Sequence, residues 1–140
     1  MFLKIFCLKG FSFQQLQKAF MQLSALDNSG IYGDSFTLEQ DAVTGIGNNV
    51  SLVFEEMDFQ EKGTCRLNIL GRTPLDHNTI QIRFTGKEQE ISIMAEFLCS
   101  AEYNWQSFEL PKITGIQTVT FVFLPGCHFD FKSFYFEKIG

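Results

Sequence analysis

The residues of this chain that could do chemistry are acids in short runs, two histidines, four cysteines and a single tryptophan. The acids fall as Glu55, Glu56 and Asp58, as Glu88 and Glu90, and as Asp34, Glu39 and Asp41. Glycoside hydrolysis needs two carboxylates flanking one bond. Neighbouring residues of a strand point to opposite faces, so Glu55 and Glu56 read as a solvated strand end and Glu88 and Glu90 as acids beside a turn. His77 and His128 belong to no H-E-x-x-H or comparable metal spacing, and no G-x-S-x-G elbow offers a nucleophile. Gly45-Ile46-Gly47 opens no helix with a phosphate motif, and Asn48-Asn49 leads into a strand-like run, so these glycines are expected in a tight turn. Cys7, Cys65, Cys99 and Cys127 contain no C-x-x-C pair and spell neither a zinc cage nor a redox motif. They are expected as buried free thiols.

The polar and aromatic material lies elsewhere. A sugar ring has apolar C–H faces edged with hydroxyls, so its site combines a flat aromatic surface with carboxylate, amide or guanidinium groups. Trp105, with Tyr103 and Asn104 beside it and Asp130 and His128 near the last strand, meets that recipe. The opposing reading is that Trp105 caps the core, since tryptophan is highly buried on average. The segment Arg72-Thr73-Pro74-Leu75-Asp76-His77-Asn78 reads as a second polar loop, in which Arg72 is expected to pair with Asp76 and turn chemistry accounts for Pro74, Asp76 and Asn78.

The elements that must position these residues are strands. Residues 78–84 (NTIQIRF) alternate without a fault, with Ile80, Ile82 and Phe84 on one face and Thr79, Gln81 and Arg83 on the other. After a turn at Thr85-Gly86-Lys87, Ile91, Ile93, Ala95 and Phe97 resume the pattern and predict the partner of a hairpin. Similar runs cover residues 50–59, 64–70, 105–110, 116–124 and 129–136, each bounded by Gly, Pro, Asn or Asp. In the last run Phe129 and Phe131 share one parity and Phe134 and Phe136 the other, which predicts a β-bulge between them. Residues 14–26 have spacing that suits a helix or a strand equally.

Seventeen phenylalanines in 140 residues must be hidden, and two packed sheets hide them well because each strand gives one face to a shared interior. A chain this long suffices for one domain and its core. The expected fold class is all-β, a jelly-roll sandwich over residues 11–140, with residues 1–10 as an N-terminal extension or edge strand. A net charge of -5 argues against nucleic acid and against an anionic membrane surface as partners. The apolar run in residues 1–13 is broken by Lys4 and Lys9, is shorter than a spanning helix and lacks a small-residue cleavage site. It reads as a frayed or docked strand, and the chain is expected to be cytoplasmic, or exported only as part of a larger protein.

The order of Val50-Ser51-Leu52-Val53-Phe54 through Met57-Asp58-Phe59, then Trp105-Gln106-Ser107-Phe108, then residues 129–136 (FDFKSFYF) resembles family 6 carbohydrate-binding modules, which are galactose-binding-like jelly rolls. Tyr32-Gly33-Asp34-Ser35-Phe36, followed by residues 43–50 (VTGIGNNV), is similar to the accessory β-sandwich of bacterial family 2 glycoside hydrolases of the β-galactosidase type. The resemblance covers residues 11–137. It implies a non-catalytic module that binds glycan at a loop edge, with galactose among the candidate sugars and a glycoside hydrolase catalytic domain as partner. The alternative it leaves is an accessory domain that packs on a hydrolase and binds no sugar.

By the same resemblance Trp105 stacks on sugar and Phe108 lies in the core. Asp130 stands where the family has an Asn, and Lys132 where an acidic calcium ligand often sits. An ammonium cannot ligate calcium. Lys132 is therefore expected to pair with an acid such as Glu39 in place of the ion, and no cofactor is expected. No catalytic residue is matched, because the barrel that such modules accompany is too large for this chain.

Overall fold

Period-two alternation carries most of the chain into strands. The computed structural model describes residues 18–87 and 89–140, so the readings of residues 1–10 and 1–13, of Cys7 and of Glu88 lie outside the described residues. Nine strands run through the described residues: β1 (Leu23–Ser24), β2 (Gly30–Tyr32), β3 (Thr37–Leu38), β4 (Val43–Ile46), β5 (Val50–Asp58), β6 (Thr64–Thr85), β7 (Glu90–Ile113), β8 (Ile116–Phe123) and β9 (Phe129–Lys138). Of the ambiguous residues 14–26, those described form 3-10 turns at Lys18–Phe20 and Ala25–Asp27 around the two-residue β1. The second turn is capped reciprocally: Ser24 accepts from the Leu26 N–H, and Asp27 from the Ser24 N–H.

The long hairpin β6–β7 organises the molecule. The hydrogen-bonded order is β2-β5-β8-β6-β9-β4-β3, all antiparallel, with β7 along β6 and β1 on β9. The first part of β6 pairs with β9, from Thr64 opposite Lys138 to Arg72 opposite Asp130, and the last part pairs with β8, from Ile80 opposite Phe123 to Thr85 opposite Thr118. One strand thus belongs to two layers, with its bend between Thr73 and His77, where the register with β7 shifts. The expected polar loop at residues 72–78 is therefore a bulged bend inside a strand. Buried side chains replace the lost ladder bonds: Asn78 Nδ2 donates to Thr73 Oγ1 at 2.9 Å, and Thr73 Oγ1 donates to the His128 carbonyl at 2.8 Å.

The two layers close on phenylalanine. Phe54 of β5 meets Phe134 of β9 with ring centroids 4.7 Å apart, and Phe121 of β8 meets Phe131 and Phe134 at 5.2 and 4.9 Å, in edge-to-face arrangements that suit the ring quadrupoles. Ten phenylalanines are under 2% exposed, enough for the rings themselves to be the inter-sheet core. The expected bulge in β9 is present: Leu70 pairs with Ser133 but Gly71 with Phe131, so Lys132 is the extra residue and both phenylalanine pairs point inward. At Gly71 a Cβ would lie 2.2 Å from the Phe129 ring, so only glycine lets β6 pass there.

Register shifts also explain where thiol burial fails. Cys65 shares parity with the buried Leu67 and Ile69, yet a shift between Thr64 and Arg66 turns it outward, and Cys99 is turned out at the bend. Among the described cysteines, Cys65 and Cys99 are exposed and Cys127 is half-buried. Burial pushes the Cys127 thiol pKa up. Gly45 likewise is no tight-turn residue: it lies within β4 at φ +62°, at a shift in the β4–β9 register.

Candidate functional site

The outer face of the β7-β6-β9 layer gathers most of the residues singled out from sequence. Opposite the inward phenylalanines, β9 presents Asp130 and Tyr135, with Lys132 at the bulge. On the same face, β6 presents Asn68, Leu70 and Arg72, and β7 presents Trp105, Ser107 and Glu109. Cross-strand register then makes neighbours of residues far apart in sequence, as Leu70 lies beside both Trp105 and Ser133.

Asp130 is the anchor of one end. Its Oδ2 accepts from Arg72 Nε at 2.9 Å and forms an ion pair with Nη2 at 2.9 Å, and its Oδ1 accepts from the Gly45 N–H at 3.0 Å. The Arg72–Asp76 pair expected from sequence is replaced by this one, because the register sets Arg72 directly opposite Asp130. The hydrogen bond to Asp130 holds the Arg72 guanidinium even more firmly protonated than usual. Its carbon sits 4.3 Å from the centre of the Tyr103 ring, and Lys132 Nζ sits 4.8 Å from that centre. Two cations thus crowd the Tyr103 ring. Partial burial raises the Tyr103 phenol pKa.

Lys132 completes the end. Its ammonium lies 3.4 Å from Asp41 Oδ2, so the acid that it meets is Asp41, not Glu39, whose carboxylate accepts from Thr44 Oγ1 at 3.4 Å. These side chains line a shallow depression with Ala42 and Arg72. An ammonium is thus seated between the β3–β4 acids and the last strand.

Trp105 stands one strand repeat further along β7 and is 41% exposed. That exposure departs from the core-cap reading. Its ring packs edge-on against Tyr135 across β6, with centroids 5.2 Å apart at 71°, which fixes the indole while leaving part of it open. Gln22 Nε2 donates to Ser133 Oγ at 3.2 Å beside it.

The five residues expected at the site are therefore not one cluster. Tyr103 and Asp130 meet through Arg72, and Trp105 shares their face. Asn104 falls between Tyr103 and Trp105 in the alternation, opposite Gly71, and so belongs to the other side of β7. His128 lies in the β8–β9 connection, exposed, with its backbone N–H donating to Asn78 Oδ1 at 3.0 Å. Tyr135 was missed from sequence. Its signal was there, as the one outward aromatic between the inward Phe134 and Phe136.

Neither a scan of family models nor a search of curated proteins finds a match for this chain. Solved structures do match it. A family 6 carbohydrate-binding module, the subject of a binding sub-site dissection, superposes with a TM-score of 0.75 at 20% identity, over 86% of this chain and 95% of the module. A family 6 module from Clostridium cellulolyticum in complex with xylose gives 0.72 at 19% identity, over 86% and 98%. A family 43 arabinoxylan arabinofuranohydrolase from Bacillus subtilis, in complex with cellotetraose, gives 0.68 at 17% identity, over 86% of this chain but 27% of the enzyme. The fold is that of the family 6 β-sandwich, met both alone and inside a longer enzyme chain.

Proposed function

We propose that this chain is a non-catalytic carbohydrate-binding module that holds glycan on the outer face of the β7-β6-β9 layer. The observation that carries the reading is Trp105, an indole 41% exposed yet fixed edge-on by Tyr135, on a sandwich of the family 6 fold. A fixed aromatic surface stacks on the C–H face of a sugar without losing much freedom of its own. The flank at Tyr103, Arg72 and Asp130 supplies polar edges. Asp130 has both oxygens engaged, so the donors offered to hydroxyls are the remaining guanidinium N–H groups of the half-exposed Arg72. His128 is the outlying polar contact of the same reading, and Asn104, on the other side of β7, takes no part in it.

The finer form of the proposal follows the sequence resemblance: the module accompanies a glycoside hydrolase of the β-galactosidase type, and galactose is among its sugars. Occurrence of the same fold as part of a longer hydrolase supports that arrangement. Screening the whole chain on a glycan array tests the function. Capture by uncharged glycans, without hydrolysis of a chromogenic galactoside, is the expected outcome; a blank array would contradict it.

A second reading, an accessory domain that packs against another protein, draws on a different surface. The outer face of the β2-β5-β8 layer exposes Tyr32 at 63% and, on the first half of β7, Met94 at 58% and Leu98 at 52%. The two readings use opposite faces and are compatible.

A further inference from the structure

We propose that the chain pairs with a second copy of itself along the first half of β7, the two strands running antiparallel about Met94, so that the β2-β5-β8-β6-β7 layer continues across a twofold axis. This pairing is independent of glycan binding, which is placed on the second half of β7.

The backbone supplies the site. No strand of the described residues pairs with β7 on the side away from β6. Leu98 donates its N–H to Gln106 Oε1, and its C=O accepts from Gln106 Nε2, both at 3.0 Å, so its backbone faces away from β6. Register with β6 is unbroken from Leu98 opposite His77 to Glu90 opposite Thr85. Alternation therefore turns the N–H and C=O of Ser92, Met94 and Glu96 the same way. All three residues are exposed. At Leu98 the Gln106 amide makes the two hydrogen bonds that a peptide group of an added strand would make.

The two halves of β7 treat this edge differently. Beyond Leu98 it is blunted by the Gln106 amide, by register shifts between Gly71 and Thr73 and between Thr64 and Arg66, and by Pro111 and Lys112. Residues 90–98 contain no proline, no basic residue and no shift, and Met94 and Leu98 are 58% and 52% exposed. The outer edges at β2 and β3 are only three and two residues long. The first half of β7 is thus the long unblunted edge among the described residues.

Side chains select a second copy as the occupant. Pairing centred on Met94 sets Met94 against Met94, Ser92 against Glu96 and Glu90 against Leu98, so no acid faces an acid. On the inner side it sets Ile91 against Phe97 and Ile93 against Ala95. Sliding one strand by a two-residue repeat either opposes Glu90 to Glu96 or draws on the Leu98 groups that Gln106 already holds. Charge completes the fit. Arg83 lies opposite Ser92 on β6, donates from Nε to Gln81 Oε1 at 3.3 Å, and meets no carboxylate among the described residues. In the joined sheet its row continues through Ser92 to Glu96 of the second copy, about 10 Å away between backbones, a span the two long side chains bridge over the small serine. Glu96 accepts from the Thr79 hydroxyl of its own copy and keeps lone pairs for the guanidinium. Twofold symmetry makes the pair twice.

Sedimentation velocity of the whole chain over a wide range of concentration, paired with amide hydrogen exchange, tests this. The wild type is expected to form a reversible dimer, and the Ser92, Met94 and Glu96 amides to gain protection as it forms. Met94→Lys, which sets two ammonium groups face to face on the axis, should weaken dimerisation by about tenfold or more. Arg83→Glu should weaken it as well, and Arg83→Glu combined with Glu96→Arg should restore it. A wild type that stays monomeric at every concentration would overturn the proposal. So would a dimer that leaves those three amides unprotected, as docking through Tyr32 would, or one indifferent to Met94→Lys. Thermal melts confirm that each variant is folded.

Discussion

Strand β9 carries two regions of opposite character on its two faces. Inward, Phe129, Phe131, Phe134 and Phe136 are at most 1% exposed and pack ring to ring. Outward, Asp130, Lys132 and Tyr135 make specific side-chain pairs with Arg72, Asp41 and Trp105. The inner face is nonspecific in partner but demanding in volume, and the outer face is the reverse. Stability should therefore reside in the first and recognition in the second.

The largest effect should come from truncating the interior. Phe121 touches Phe54, Phe131 and Phe134, so Phe121→Ala opens a cavity at the meeting of both layers and should cost about 3–5 kcal/mol by urea denaturation. Any glycan affinity of the fraction that remains folded should be unchanged. Asp130→Ala comes next, since it strips both Arg72 and the Gly45 N–H of their acceptor. With Arg72 half in solvent, about 1–2 kcal/mol is expected, read by the same denaturation.

The inner face was legible in the sequence because parity alone decides it. The faultless alternation of residues 78–84 and the switch between Phe131 and Phe134 became the buried rows and the bulge of β9. The outer face was only partly legible, because which residues meet there depends on register. Arg72 is 58 positions from Asp130, and nothing local distinguished that acid from Asp76. Cys65 and Cys99 were misread for the same reason, each lying where a bulge reverses the alternation. Trp105 was singled out by its type, but its exposure follows from the register that sets it over Leu70 beside Tyr135.

Smaller effects sharpen the outer face. The Lys132–Asp41 pair is largely solvated, so Lys132→Met should change stability by less than about 1 kcal/mol. The seated ammonium predicts that neither calcium nor a chelator moves the wild-type melting temperature. A large calcium stabilisation reversed by chelator would show that Lys132 does not stand in for the ion.

The smallest effect is alkaline. Burial raises the Tyr103 phenol pKa, so the folded chain keeps a proton that the unfolded chain releases above about pH 10. The unfolded state then binds fewer protons, and stability falls as pH rises from that value through the raised one. Tyr103→Phe should flatten this decline, as measured by denaturation at a series of alkaline pH values.

Recognition is assigned to an exposed indole outside the phenylalanine core. It is tested most directly by titrating wild type and Trp105→Ala with the same array-identified glycan, each checked by thermal melt. Binding should be lost in the variant with its melting temperature little changed. Binding that survives the substitution would contradict it.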